Sequence, residues 1–157
     1  MKESAIKALF FLLAERMHFM LTQKEKALIK NESHWSDTLI SFISSLEEYQ
    51  IYKGLHEVVI DGIICLITDY KPNDKNLHKM KTRGCAMRDA TNRPIELHHI
   101  GGLPNSPLAE LTHSQHHSNG NFSILHDTSR KVSLINRSNF AKVRRRHWKA
   151  RAAMTKP

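Results

Sequence analysis

The stretch that decides the fold is residues 95–126, IELHHIGGLPNSPLAELTHSQHHSNGNFSILH, which contains six of the chain's 11 histidines. Its pattern predicts a short strand over residues 95–99, a loop, and a second short strand or turn over residues 108–111. Thr112 can cap a helix that continues to about Gly120. This order of elements can build a small cleft that holds one divalent metal ion.

The two histidines of the His98–His99 doublet could have different roles in such a cleft. Adjacent residues on a strand point to opposite faces, so only one histidine of the pair can bind a given ion. The other can face the substrate as a general base, because a histidine near its unperturbed pKa accepts a proton at neutral pH. A metal ion, this base and a nearby cation would together serve phosphodiester hydrolysis.

The net charge of +9 is confined to the last part of the chain. Residues 128–157 contain ten Lys or Arg and no Asp or Glu, whereas residues 1–127 contain fourteen basic and fifteen acidic residues. A one-sided basic field attracts polyanions and speeds their capture. The distribution therefore favours a nucleic-acid partner over its alternative, a solvated basic tail.

Apolar residues at helical spacing predict helices in the first part of the chain. One long helix or two short ones are expected over residues 3–30, with an apolar face formed by Ile6, Leu9, Phe10, Leu13, Met17 and Met20. Ser36 or Asp37 can cap a second helix. The buried stripe of that helix would be Leu39, Phe42, Ile43 and Leu46. We interpret these stripes as core or interface.

The pattern changes at Leu55, where two apolar runs are joined by Asp61-Gly62. This dipeptide predicts a β-hairpin, because both central residues of the favoured turn need a positive φ. Residues 69–93 are polar and basic, and we expect an irregular loop there. A last helix is predicted over residues 138–153, with His147 packed beside Trp148.

Two further features limit the class of protein. Cys65 and Cys85 have neither metal-ligand spacing nor a disulfide framework, so we expect both to be reduced and structural. The apolar run over residues 7–21 is too short and too charged to span a bilayer, and it lacks the features of a signal peptide. We expect the protein to be made in the cytoplasm and exported only with a larger system.

Several motifs between residues 55 and 152 resemble those of a known nuclease family: IELHHIGG, SPLAELT, QHHSNGN, ILHD, SLINRSNF and HWKAR. They are similar to the LHH family of the HNH/endonuclease VII nucleases, found at the C-termini of bacterial polymorphic toxins such as the LXG type. IELHHIGG also resembles the ELHH motif of nuclease colicins. The resemblance implies an α+β fold with a ββα-metal (His-Me finger) core, a β-hairpin lead-in and a helical N-terminal extension. The expected domains are residues 1–50 and 51–157.

The resemblance also implies roles for individual residues. His98 and His116 would be metal ligands, His126 a third ligand or a phosphate contact, and His99 the general base. Glu110 would orient an imidazole, and Asn121 would brace the loop. Relatives usually have Glu-His-Arg where this chain has Gln115, His116 and His117, so the two histidines are alternatives for one ligand position, of which we favour His116.

The implied function is a metal-dependent endonuclease with little sequence preference, acting on DNA in preference to RNA. Its cofactor would be one divalent ion, Zn, Ni, Mg or Mn. The expected phosphate contacts are Arg137, Lys142, Arg144, Arg145, Arg146, Lys149 and Arg151. The expected biology is a toxin of bacterial competition that acts in the target-cell cytoplasm and is neutralised by an acidic immunity protein. The alternatives are an RNase toxin of the same fold, a non-catalytic nucleic-acid-binding module with a structural zinc, and a dimer or complex subunit organised by residues 1–50.

Overall fold

A computed structural model describes residues 4–7, 20–129 and 132–155 of the protein. Residues 4–7 are helical, and helix α1 spans Gln23–Ser33. A capping box starts α1, in which Thr22 and Glu25 each bond the other's backbone N–H. The centre of the predicted apolar face, from Leu9 to Met17, lies outside the described residues.

The helix predicted to begin at Ser36 or Asp37 is in fact two short helices. Helix α2 spans Asp37–Ile40 and is capped by the Ser36 side chain, and helix α3 spans Leu46–Tyr52. The Ser45 hydroxyl accepts a hydrogen bond from the N–H of Glu48 and so starts α3. Of the predicted stripe, Leu39 lies in α2 and Leu46 in α3, whereas Phe42 and Ile43 lie in the turn between the two helices.

The predicted hairpin is confirmed. Strand β1 spans His56–Ile60 and strand β2 spans Ile63–Ile67, paired antiparallel. Asp61 and Gly62 join them with φ of 55° and 76°, as a two-residue turn with two positive φ values requires.

The prediction of an irregular loop over residues 69–93 is wrong, because helix α4 spans Asp74–Arg83. The Asn73 side chain caps its first turn, and Gly84 ends it in the left-handed conformation with φ of 66°. Met80 is fully buried. A cap, a buried residue and a terminal glycine thus form a helix in a segment whose overall composition is polar.

Strand β3 spans Glu96–His99 and strand β4 spans Leu108–Leu111, paired antiparallel. The four strands form one sheet in the order β1-β2-β4-β3, in which β2 and β4 are parallel. Three helices follow: α5 (His113–His117), α6 (Asn121–Leu125) and α7 (Arg137–Met154). Thr112 caps α5 as predicted, but the helix ends at His117, and Gly120 starts a second one.

A separate apolar core packs against each face of this sheet. The first core joins the N-terminal helices to Leu66, Ala109 and Leu111, and the second joins α4 and α7 to Cys65, Leu97 and Leu108. The expected boundary between residues 50 and 51 falls inside α3, and described residues on both sides of it share the first core. The division into residues 1–50 and 51–157 stays a prediction.

The fold is α+β, and its small four-stranded sheet with flanking helices agrees with a ββα-metal nuclease. Both cysteines are free thiols, Cys65 buried and Cys85 exposed, and burial raises the pKa of Cys65 to about 12. Among the described helices, none is both long and apolar enough to cross a bilayer.

Candidate active site

Three histidines from three parts of residues 95–126 converge on one point. His98 extends from β3, His116 from α5, and His126 follows the last residue of α6. One ring nitrogen from each lies within 4.8 Å of the other two, and the Nε2 atoms of His116 and His126 are 2.8 Å apart. We call His98, His116 and His126 the histidine triad.

The triad fits a divalent metal ion. The Nε2 atom of His98 is buried and has no hydrogen-bond partner among the described residues, which costs about 1–3 kcal/mol unless another group satisfies it. Burial, together with the charges of the neighbouring histidines, lowers the pKa of His98 to about 2, so its ring is neutral and offers a lone pair. Imidazole is a common ligand of Zn and Ni, and three ligands leave positions open, as in catalytic sites.

Glu96 orients one member of the triad, His116, through a hydrogen bond. It lies two residues before His98 on the same face of β3, and its Oε2 accepts a hydrogen bond from Nδ1 of His116. This bond leaves Nε2 of His116 free to face His98 and His126. Partial burial raises the pKa of Glu96, but hydrogen bonds from His116, His113 and His117 outweigh it and lower the pKa to about 2. The carboxylate is therefore charged at neutral pH.

The prediction that Glu110 plays this orienting role is wrong. Glu110 pairs with Leu97 across the β3–β4 ladder, whereas His98 pairs with Ala109, so Glu110 and His98 lie on opposite faces of the sheet. Glu110 is fully buried in the second core, where its Oε1 is 2.7 Å from Nε2 of His147. It orients an imidazole, but not one of the triad. The alternation of side chains along a strand could have indicated Glu96, because it precedes His98 by two residues and therefore lies on the same face.

Arg151 also belongs to that buried group. Its Nε donates to Glu110 Oε1 at 2.6 Å, and its guanidinium also donates to the carbonyl oxygen of Thr68. The prediction that Arg151 contacts phosphate is therefore corrected, because the side chain is buried and paired. The six other predicted phosphate contacts are exposed on α7: Arg137, Lys142, Arg144, Arg145, Arg146 and Lys149.

His99 follows His98 at the end of β3 and points to the other face of the strand. Its half-buried ring packs against Phe140 of α7, with the ring centroids 4.3 Å apart. The guanidinium of Arg144 lies 5.1 Å from the centroid of the same Phe140 ring. Burial lowers the pKa of His99, which favours a neutral ring at pH 7. Within the described chain no residue hydrogen-bonds this ring, so its nitrogens can meet a substrate.

The remaining predicted residues have clear positions. Asn121 donates from Nδ2 to the carbonyl oxygen of Gln115 at 2.9 Å, a contact that braces the turn between α5 and α6. His117 is not grouped with His98 and His126; its Nε2 lies 3.0 Å from Glu96 Oε2, and its ligand atoms group with those of Glu96 and His116. Of the two alternatives, the structure brings His116 to His98 and His126.

The β3–β4 pair, the helices after it and the histidine triad define a nuclease of the ββα-metal class. Comparison with protein families agrees: the LHH family, described as a nuclease of the HNH/ENDO VII superfamily with conserved LHH, matches residues 75–154. The chain belongs to this family. No curated protein matches the chain. No solved structure matches it either.

Proposed function

We propose that the protein is a metal-dependent endonuclease that cleaves phosphodiester bonds in DNA with little regard to sequence. The observation that carries this proposal is the pairing of a histidine triad with a free histidine on the next residue. His98 faces the other two members of the triad, whereas His99 faces the opposite side of the strand, toward the basic helix α7. Ligand and base are thus held next to each other by one rigid strand.

The triad would hold one divalent ion, with Zn, Ni, Mg and Mn as the candidates. When bound, such an ion would supply Lewis-acid stabilisation of the charge that develops on the phosphate and leaving oxygen. Glu96 fixes the ring of His116 so that Nε2 faces the other two ligands. Burial keeps His98 and His126 neutral by lowering their pKa values.

His99 would take a proton from the attacking water at a free ring nitrogen. Contact with Phe140 restricts the orientation of the ring, and burial keeps it unprotonated at neutral pH. Arg144 stacks on the same phenyl ring and is exposed, so it can place positive charge beside the phosphate that His99 faces. The ring of Phe140 thereby couples the positions of the base and the cation.

The exposed basic residues of α7 would track the nucleic-acid backbone. Contacts between Lys or Arg and phosphate carry no sequence information, which is why we expect little sequence preference. We favour DNA over RNA as the substrate. The resemblance to polymorphic toxins further supports a role in bacterial competition after export into the cytoplasm of a target cell. An acidic immunity protein would then oppose the charge of α7.

The test is cleavage of plasmid DNA and of RNA with Zn, Ni, Mg and Mn in turn, with EDTA as the metal-free arm. We expect plasmid cleavage with at least one metal, none with EDTA, and activity about 10²–10⁴-fold lower in a His99→Ala variant. His78→Ala is the matched control, because His78 is an exposed histidine on α4. Intact plasmid with all four metals, or full activity of His99→Ala, would overturn the proposal.

The same assay separates the alternatives. Cleavage of RNA alone would favour an RNase toxin of this fold. Binding of nucleic acid without cleavage would favour a module with a structural zinc, although such a site is normally closed by four protein ligands. Only three residues, His98, His116 and His126, converge at the triad within the described chain.

A further inference from the structure

Helix α4 brings a second group of cations to the basic helix α7. Its sequence contains one acid, Asp74, and four basic residues, all of them exposed: Lys75, Lys79, Lys81 and Arg83. Residues 1–127 contain about as many acidic as basic residues, so their overall balance hides this local excess. The positive charge of the protein is therefore not limited to its last thirty residues once the chain is folded.

The fold places α4 and α7 side by side. The two helices pack against each other, and both contribute to the second core, α4 through Leu77 and Met80 and α7 through Val143 and Trp148. Because both helices belong to the core on one face of the sheet, their outer sides adjoin. We call the exposed Lys and Arg side chains of α4 and α7 the two-helix surface. Asp74 is the only acidic residue in the sequences of the two helices.

The cations of α4 differ in their surroundings from those near the N-terminal helices. Lys30 pairs with Asp37, and Lys53 pairs with Glu32. In the part of the chain that the structure describes, no carboxylate forms an ion pair with any of the four cations of α4. Cations that are exposed and unpaired present their full charge to a ligand, which favours a polyanion as the partner of this surface.

We propose that the two-helix surface binds both backbones of double-stranded DNA, with α7 along one strand and α4 along the other. The axes of packed helices lie about 8–10 Å apart, and the grooves of B-DNA are about 6 and 12 Å wide. Two rows of cations at such a spacing can each follow one backbone across a groove. A single strand offers only one row of phosphates, which the longer helix α7 can contact alone.

Helix α7 connects this surface to the proposed general base. The ring of His99 packs on Phe140, and Arg144 stacks on the same phenyl ring. A duplex bound along α7 therefore lies on the side of β3 that His99 faces. This assignment of duplex DNA as the substrate rests on the proposed function, but the binding of a duplex across two helices can be measured without any cleavage.

The experiment is fluorescence anisotropy of the full chain with a short DNA duplex and with one of its strands, in EDTA, at salt concentrations from about 50 to 200 mM. Two double variants remove charges from α4, Lys75→Gln with Lys79→Gln and Lys81→Gln with Arg83→Gln. The control, Lys24→Gln with Lys26→Gln, removes the same charge from α1. Glutamine is a good helix former, so all three variants keep their helices.

We expect at least one α4 variant to weaken duplex binding and to reduce the slope of log affinity against log salt by about 2, one unit for each lost phosphate contact. The α1 control should keep the wild-type slope, and all variants should bind the single strand alike. Wild-type slopes in both α4 variants, or equal losses for the duplex and the single strand, would overturn the proposal.

The outcomes separate this surface from the nuclease proposal. Duplex binding that depends on α4, without cleavage in the presence of any of the four metals, would support the surface and overturn the nuclease. Plasmid cleavage by a chain whose α4 variants bind the duplex as the α1 control does would overturn the surface and leave the nuclease standing.

Discussion

Glu96 shows how much of this site depends on one side chain. The carboxylate lies on β3 beside His98 and is bonded to three imidazoles of α5, one of which belongs to the triad. A carboxylate behind a metal-binding imidazole fixes its tautomer and increases its basicity. Glu96 therefore decides which nitrogen of His116 is available as a ligand.

Replacing Glu96 with glutamine should weaken the triad's metal affinity about 10–100-fold, because the charge that supports His116 is lost while the size of the side chain is kept. The measurement is the dissociation constant of Ni²⁺. Glu47→Gln is the control, since Glu47 is an exposed acid at the start of α3. An unchanged constant in Glu96→Gln would show that His116 is oriented by something else.

Glu110 has a different task, which is to hold α7 on the sheet. Burial raises its pKa, but the contacts with His147 and Arg151 prevail and lower it, so the carboxylate is ionised at neutral pH. A group with a lowered pKa stabilises the fold above its unfolded-state pKa, and this contribution is lost as the pH falls through the folded-state pKa. The buried network should therefore weaken in acid.

Glu110→Ala should lower the free energy of unfolding by about 3–5 kcal/mol at pH 7, because it leaves the buried charge of Arg151 without its carboxylate partner. The difference from wild type should narrow as the pH falls below about 4.3, the ordinary pKa of glutamate. Urea unfolding at a series of pH values measures both effects. Glu47→Ala should change stability little at any pH, and a pH-independent difference for Glu110→Ala would contradict the argument.

At the scale of the elements, the backbone of α7 is held close to the end of α4 by a glycine. A Cβ atom added at Gly84 would lie 2.6 Å from the carbonyl oxygen of Arg145. Such a distance cannot be relieved by a side-chain rotation, because the obstacle is backbone. The left-handed cap of α4 thus also sets how closely the two helices approach.

Gly84→Ala should therefore destabilise the protein by about 1–3 kcal/mol more than Gly102→Ala. Gly102 has nearly the same φ, 68° against 66°, but a Cβ there meets nothing within 4 Å. The two variants thus share a similar backbone strain, and only Gly84→Ala adds the steric contact with Arg145. Thermal unfolding monitored by circular dichroism measures the difference. Equal losses would show that α4 and α7 can move apart without cost.

Sequence patterns predicted the elements that short-range rules control. The Asp61-Gly62 turn and the Thr112 cap are local, since a few adjacent residues determine them. Helix α4 was missed because its polar composition hides a cap at Asn73, a buried Met80 and a terminal Gly84. The residues of such a helix are stabilised by contacts with α7, which no local pattern reports.

The residues of the site also separate into those that the sequence predicts and those that depend on packing. The resemblance to the LHH family predicted His98, His116 and His126, which the structure brings together. The choice between Glu96 and Glu110 required the register of β3 against β4, because register decides which carboxylate shares a face with His98. The burial of Arg151 likewise follows from packing and not from charge.

At the scale of the whole molecule, the family match begins at residue 75, whereas the apolar core includes residues that precede it. Described residues of the N-terminal helices, including Ile29, Trp35 and Leu39, pack against the same sheet face that carries Ala109 and Leu111. The Trp35 indole donates to the carbonyl oxygen of Leu55 at 3.1 Å. The segment before the family match therefore forms one wall of the nuclease core.

Deletion of residues 1–50 should abolish cooperative unfolding, because it uncovers one face of the sheet. The measurement is the thermal transition of the truncated chain by circular dichroism and by calorimetry. Deletion of residues 1–19 is the control, since it removes none of the described members of the first core. A sharp transition at the wild-type temperature in the chain that begins at residue 51 would instead establish residues 1–50 as a separate appendage.

The parallel pairing of β2 with β4 also affects the order in which the protein folds. It joins Cys65 to Leu108 and Leu66 to Ala109, so it must close a long loop, whereas β1–β2 and β3–β4 join neighbours in sequence. We expect the two local hairpins to form first and to merge later, a sequence that pulsed hydrogen exchange would resolve. Before the merger, α5 could already bring His116 to His98, because α5 packs against β3 and β4, but the sheet face that carries His98 would still be uncovered. Under the proposed function, the metal ion could therefore bind before the surroundings of the triad become buried and rigid.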